Sequence, residues 1–127
     1  MLPRVSSKVD AFKKVEPNEH FRFFMHPDEN KNAILELNTK GLASLTLSPY
    51  IEDFGGNPDC AGTPSAGIVQ LTWSLDGGKK THLTVDRTYN GLVNLDVSKS
   101  SKLKLEVDKG NDVTWCDWFS VGFLNVK

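Results

Sequence analysis

Apolar and polar residues alternate in short runs along most of the chain. The clearest run is Lys102 to Val107, with Leu103, Leu105 and Val107 on one side and Lys102, Lys104 and Glu106 on the other. A two-residue period is that of a half-buried β-strand. Ile68 to Leu75 repeats it: Val69, Leu71, Trp73 and Leu75 oppose Gln70, Thr72 and Ser74, and Trp73 is read as core. Asp76-Gly77-Gly78 then supplies a hairpin-type turn, and His82 to Val85 the return strand. Leu92 to Val97 groups Val93, Leu95 and Val97. Ile34 to Leu37 and Leu42 to Leu47 flank the turn residues Asn38-Thr39-Lys40-Gly41. In the second of these, Ala43, Leu45 and Leu47 oppose Ser44 and Thr46, and Pro49 is expected to limit ladder hydrogen bonding on a central strand. Trp118 to Val126 is the last strand, with Phe119, Val121 and Phe123 on one face.

The first thirty residues are the least regular. Val9 to Phe12 and Phe21 to Met25 are short strand candidates. The N- and C-terminal strands are expected to pair, since both would otherwise be edges. No window of helical length carries apolar residues at i, i+3, i+4 and i+7 with capping residues. Short strands between turn signals predict an all-β fold, a single β-sandwich or jelly roll. A chain of 127 residues is one domain by length and can bury one sizeable core. The longest irregular segment runs from Glu52 to Gly67 and is rich in glycine and proline; a loop of that length in a small domain is usually functional or disordered.

The composition narrows the partners. A formal net charge of −1 gives no basic face for nucleic acid or for an anionic membrane. No apolar stretch is long enough to cross a bilayer, and Met1 to Asp10 has no apolar signal-peptide core. Cys60 and Cys116 leave two readings open. A disulfide between them would close a long loop and contribute about 4 kcal/mol in the chain-entropy model; otherwise both are free thiols. Neither has a second Cys or His at zinc-ligand spacing.

Catalytic chemistry finds little support. His20, His26 and His82 lie in no nucleophile elbow or metal-binding motif, and His82 reads as a surface or edge residue. The carboxylates are too scattered to nominate an acid–base pair. The aromatics near the C-terminus are more informative. If Phe119, Val121 and Phe123 face inward, alternation turns Trp118 the other way, beside Asp117, with Trp115 in the preceding loop. An indole face packs on the apolar C–H patch of a pyranose while a carboxylate accepts hydrogen bonds from its hydroxyls. The bland alternative has both indoles covering the end of the core. Glu52, Asp53, Asp59, Asp112 and Asp117 are oxygen donors in irregular segments, the ligand type calcium takes, although their spacing fits no EF-hand.

At these residues the chain resembles the NPCBM domain, carbohydrate-binding module family 51 (CBM51). The resemblance is carried by FFMH at Phe23 to His26, AILELNTKGLASLTLSPYIEDF at Ala33 to Phe54, and IVQLTWSLDGG at Ile68 to Gly78. It continues through VNLDVSKSSKLKLEVDKGND at Val93 to Asp112 and WCDWFSVGFL at Trp115 to Leu124. It runs from Phe23 to the C-terminus; the ordered set is more specific than any single motif. Two departures fall where a ligand would sit: Trp115 stands where the family commonly has a His-rich segment, and the loop from Gly55 to Gly67 carries Cys60. The resemblance implies a galactose-binding-like sandwich, an extracellular setting, a non-catalytic glycan site at the loop end, galactose-type sugars among its ligands, and a structural calcium. By carry-over His26, Asp53, Asp117 and Trp118 match motif positions; Trp115 is added on chemical grounds, and Asp53 with Asp112 form a candidate calcium pair.

Three classes of function therefore compete. A glycan-binding module, of the kind appended to glycoside hydrolases, explains most of these features. A protein-interaction or structural sandwich would instead carry an extended apolar patch. A small enzyme would need convergent titratable groups in a cleft.

Overall fold

The computed structural model describes residues 4–7, 22–25, 27, 32–51, 67–109 and 119–124. The strands are β1 (Arg4–Ser7), β2 (Arg22–Phe24), β3 (Ala33–Asn38), β4 (Ser44–Ile51), β5 (Val69–Leu75), β6 (Thr81–Val85), β7 (Val93–Asp96), β8 (Lys102–Asp108) and β9 (Phe119–Leu124). They form a five-stranded sheet ordered β1-β3-β8-β5-β6 and a four-stranded sheet ordered β2-β9-β4-β7. Every ladder is antiparallel, and no helix occurs among the described residues. The fold is an all-β sandwich, as the alternation predicts.

The alternating apolar positions supply the filling. Leu35 and Leu37 of β3, Val69 and Leu71 of β5, and Leu103, Leu105 and Val107 of β8 are fully buried. They join Phe23, Leu45, Leu47, Phe119 and Val121 of the other sheet in one cluster. Phe23 meets Phe123 edge to face, with centroids 5.6 Å apart and planes at 78°, the geometry the ring quadrupole favours. Phe119, Val121 and Phe123 are thus the core face of β9.

Four local expectations change. Trp73 is only partly buried, packed against the cluster rather than inside it. Thr46, on the outward face of β4, is nevertheless buried, and its hydroxyl donates to Asn94 Oδ1 at 2.7 Å. β4 runs through Pro49 to Ile51 although it is a central strand. The β7 ladder stops at Leu47↔Val93, so Pro49 has a strand neighbour only on the β9 side, opposite Val121. A missing N–H is tolerated where no partner strand needs it. Finally, β1 pairs with β3 at the edge of the larger sheet, and β2 is the N-terminal strand that pairs with β9. Val9 to Phe12 lie outside the described residues.

Register fixes which strand ends coincide. The ends of β2 and β4 meet the start of β9, through Phe24↔Ser120 and Ile51↔Phe119. In the other sheet the ends of β6 and β8 meet the starts of β5 and β3, through Val69↔Val85, Gln70↔Asp108 and Ala33↔Val107. Two short connections, 39–43 and 97–101, join the sheets at the opposite end and are tied by Thr39 N–H to Ser101 O at 2.9 Å and Val97 N–H to Ala43 O at 3.0 Å. The two sets of strand ends therefore share one end of the sandwich, here called the loop end.

Candidate functional site

The described residues flanking each sequence-predicted site residue gather at this loop end. His26 falls between Met25, fully buried and donating its N–H to Phe119 O at 2.8 Å, and Pro27, also buried. Asp53 and Cys60 follow the end of β4 at Ile51; Asp112, Trp115, Cys116, Asp117 and Trp118 lie between the end of β8 and Phe119. His26, Asp53, Cys60, Asp112, Trp115, Cys116, Asp117 and Trp118 themselves lie outside the described residues. What the structure adds is common placement: connections far apart in sequence start from anchors side by side in the fold.

The 86–92 connection, between β6 and β7, also starts at this end, and the alternation pattern gave no reason to single it out. Asp86 Oδ1 accepts from Thr88 N–H at 2.9 Å and Thr88 Oγ1 at 2.7 Å, while Tyr89 N–H donates to Asp86 O at 3.2 Å. The Thr88 hydroxyl, then its amide, hold the Asp86 carboxyl below its usual range. A Cβ at Gly91 would stand 2.7 Å from the Tyr89 hydroxyl, so the phenol lies close over the glycine. The Asp-x-Thr spacing was the available signal for this turn. The same device recurs after β7, where Asp96 Oδ1 accepts from Ser98 Oγ at 2.6 Å and Ser98 N–H at 3.0 Å.

The opposite end holds an open cavity of about 500 Å³ lined by Glu36, Ser74, Asp76, Gly77, Ser101, Lys102 and Lys104. Its charges are engaged in holding the fold. Asp76 Oδ1 accepts from the Ser101 and Lys102 amides at 3.0 and 2.8 Å, and Lys102 Nζ lies 3.1 Å from Glu36 Oε2. His82 is an exposed residue of edge strand β6 whose Nδ1 is 2.8 Å from Thr72 Oγ1. Among the described residues, no three His, Cys, Asp or Glu side chains are grouped so as to hold a metal ion, and no helix is long and apolar enough to cross a membrane.

No protein-family model matches the chain, and no curated protein matches it in sequence. Solved structures do. The CBM51-2 and INT domains of Clostridium perfringens ZmpB superpose with a TM-score of 0.67 at 15% identity, covering 97% of this chain and 30% of that one. The same pair with CBM51-2 in complex with GlcNAc gives 0.65 at 15% identity, with the same coverage. The CBM51 of C. perfringens GH95 in complex with methyl-galactose gives 0.58 at 16% identity, covering 94% of this chain and 79% of that one.

The chain has a CBM51-like fold. It spans 14% of a longer ZmpB chain in which two CBM51 domains accompany an M60 catalytic domain. At these identities the likeness fixes the fold, and it agrees with the all-β sandwich expected from the sequence.

Proposed function

We propose that this CBM51-like domain is a non-catalytic carbohydrate-binding module whose glycan site lies at the loop end. One observation supports the reading above others: His26, Asp53, Trp115, Asp117 and Trp118 all belong to connections whose described anchors, Met25, Ile51, Asp108 and Phe119, meet at one end of the sandwich. In this reading Trp118 and Trp115 stack on the C–H face of a pyranose, and Asp117, Asp53 and His26 hydrogen-bond its hydroxyls. Two structural neighbours were solved with GlcNAc and with methyl-galactose, which makes those sugars the first probes. Binding to a single sugar is weak, because a shallow site immobilises few contacts. An extracellular setting, as part of a longer glycan-active protein, belongs to the same proposal.

Asp53 and Asp112 are the pair that would hold a structural calcium: hard carboxylate donors on two connections that leave the same end. Chelation is then expected to lower the thermal midpoint, with recovery on adding calcium, since a ligand bound only by the folded state stabilises it. An unchanged midpoint in EDTA removes the ion from the account.

The direct test of the sugar site is a glycan array with the parent chain and its Trp118→Ala and Trp115→Ala variants. The parent is expected to bind and both variants to lose most of the signal while keeping the parent's melting transition. Folded variants that bind as well as the parent would falsify the assigned residues.

A further inference from the structure

Among the described strands, β1 and β6 are the edges of the larger sheet, and β2 and β7 those of the smaller. An edge strand presents unpaired N–H and C=O groups, and proteins usually blunt it with charge, brevity or a bulge. β1 starts at Arg4 and shifts register between Val5 and Ser7. β2 is three residues long and starts at Arg22, and β7 is four residues long and ends at Asp96. β6 has none of these devices. It is five residues long, Thr81–Val85, and contains no Pro, Lys, Arg, Asp or Glu. It pairs with β5 in unbroken register from Val69↔Val85 to Trp73↔Thr81. Thr81, His82 and Thr84 are exposed, and no described strand pairs with the outer side of β6.

Opposite charges flank this open edge at equal distances. Lys80 is the residue before the strand and Asp86 the residue after it, each three positions from the central Leu83. Val85 is buried and Leu83 packs against the core, so alternation puts Lys80, His82, Thr84 and Asp86 on the outer face of the sheet. Lys80 is exposed and has no hydrogen bond or ion pair among the described residues. Asp86 takes both Thr88 donors on Oδ1, which leaves Oδ2 to meet a cation.

We propose that β6 pairs antiparallel with β6 of a second copy of this chain, joining two five-stranded sheets into one about a two-fold axis at Leu83. If the core faces of both copies stay on the same side, each residue must lie opposite one of the same parity, because side chains alternate. The register centred on Leu83 meets that condition and pairs all five residues of each strand. Thr81 lies opposite Val85, His82 opposite Thr84, and Leu83 opposite its own copy. Lys80 of each copy then falls opposite Asp86 of the other, on the outer face, twice in the dimer. Self-complementarity of this kind is what a two-fold interface requires. One step further out Lys79 would meet Arg87, but Arg87 is already in the turn that follows the strand. An unrelated extended peptide would gain the backbone bonds without the two charge pairs. A junction of five residues a side is small for a specific interface, so the dimer is weak and concentration-dependent.

Light scattering over a concentration series tests this, with the melting transition of each variant as the check on folding. The parent is expected to pass from monomer to dimer. Lys80→Glu places like charges across the junction at two points and is expected to weaken dimerisation about tenfold. Lys80→Glu/Asp86→Lys reverses both signs and is expected to restore it. Leu83→Cys gives a second readout that leaves the Asp86 turn untouched. At the axis the new thiol meets its own copy at a Cα separation of about 4.5–5.5 Å, within disulfide range. Mild oxidation is therefore expected to link Leu83→Cys chains in pairs, and to link neither the parent nor Thr84→Cys. A parent that stays monomeric up to about 1 mM overturns the proposal. So does a dimer that Lys80→Glu leaves unchanged, or cross-linking as efficient at position 84 as at 83, since either assigns the contact to another surface or register.

Discussion

Thr39 shows how a single hydroxyl holds the end opposite the candidate site. Its side chain is fully buried, and its Oγ1 lies 2.9 Å from Ser100 Oγ. The Ser100 hydroxyl donates to Val97 O at 3.0 Å, so its one proton is committed and Thr39 is the donor of the pair. Thr39→Val keeps the shape and removes that donor. It is expected to cost about 1–2 kcal/mol of stability in urea unfolding, the range for a lost buried hydrogen bond; a variant as stable as the parent would show that the pair contributes nothing. Asp86 and Asp96 make a second residue-scale prediction. Hydroxyl and amide donors from Thr88 and Ser98 lower both carboxyls below the ordinary 3.8. A lowered folded value means the turns gain stability that is complete above the ordinary value and fades as the pH falls through the lowered one. The Thr88 and Ser98 amide resonances should therefore titrate with midpoints below 3.8, and midpoints at or above it would contradict the capping geometry.

Among the elements, the strands with clean alternation were legible because one face meets the core and the other meets water. β8 is the plainest case: Leu103, Leu105 and Val107 are fully buried, and Lys102, Lys104 and Glu106 are outward. The Asp76-Gly77 turn was legible for a backbone reason. Both residues have positive φ, 52° and 72°, and Gly78 N–H closes the turn on Leu75 O at 2.9 Å. Asp76→Ala removes the acceptor for the Ser101 and Lys102 amides and should cost about 1 kcal/mol, a modest sum because the site is exposed. β1 was not legible: Arg-Val-Ser-Ser has no alternation long enough to read, and its place at the edge of the larger sheet comes from pairing with β3. Nor was the continuation of β4 through Pro49, which depends on where β7 stops. β9 carries the most weight. Phe119→Ala should lower stability by about 3–5 kcal/mol, the cost of emptying a buried phenylalanine site. A smaller loss would mean that the start of β9 is not anchored as its register requires.

Over the whole molecule, the candidate site was legible only as a set of residue types on connections; which connections share an end is a property of register and sheet order. His26 and Trp118 are remote in sequence, yet Met25 and Phe119 beside them are hydrogen-bonded. The outward face of β9 was less legible. Alternation sends Ser120 away from the core, but it is fully buried, at the register position shared with Phe24 and Tyr50. Backbone amide resonances followed during titration with methyl-galactose, or with the best glycan from the array, test the central claim most directly. Shifts concentrated at Met25, Ile51, Lys109 and Phe119, with Thr39, Asp76 and Ser101 unmoved, are the predicted result. Shifts gathered instead around Asp76, Ser101 and Lys102, or none with any glycan, would contradict it.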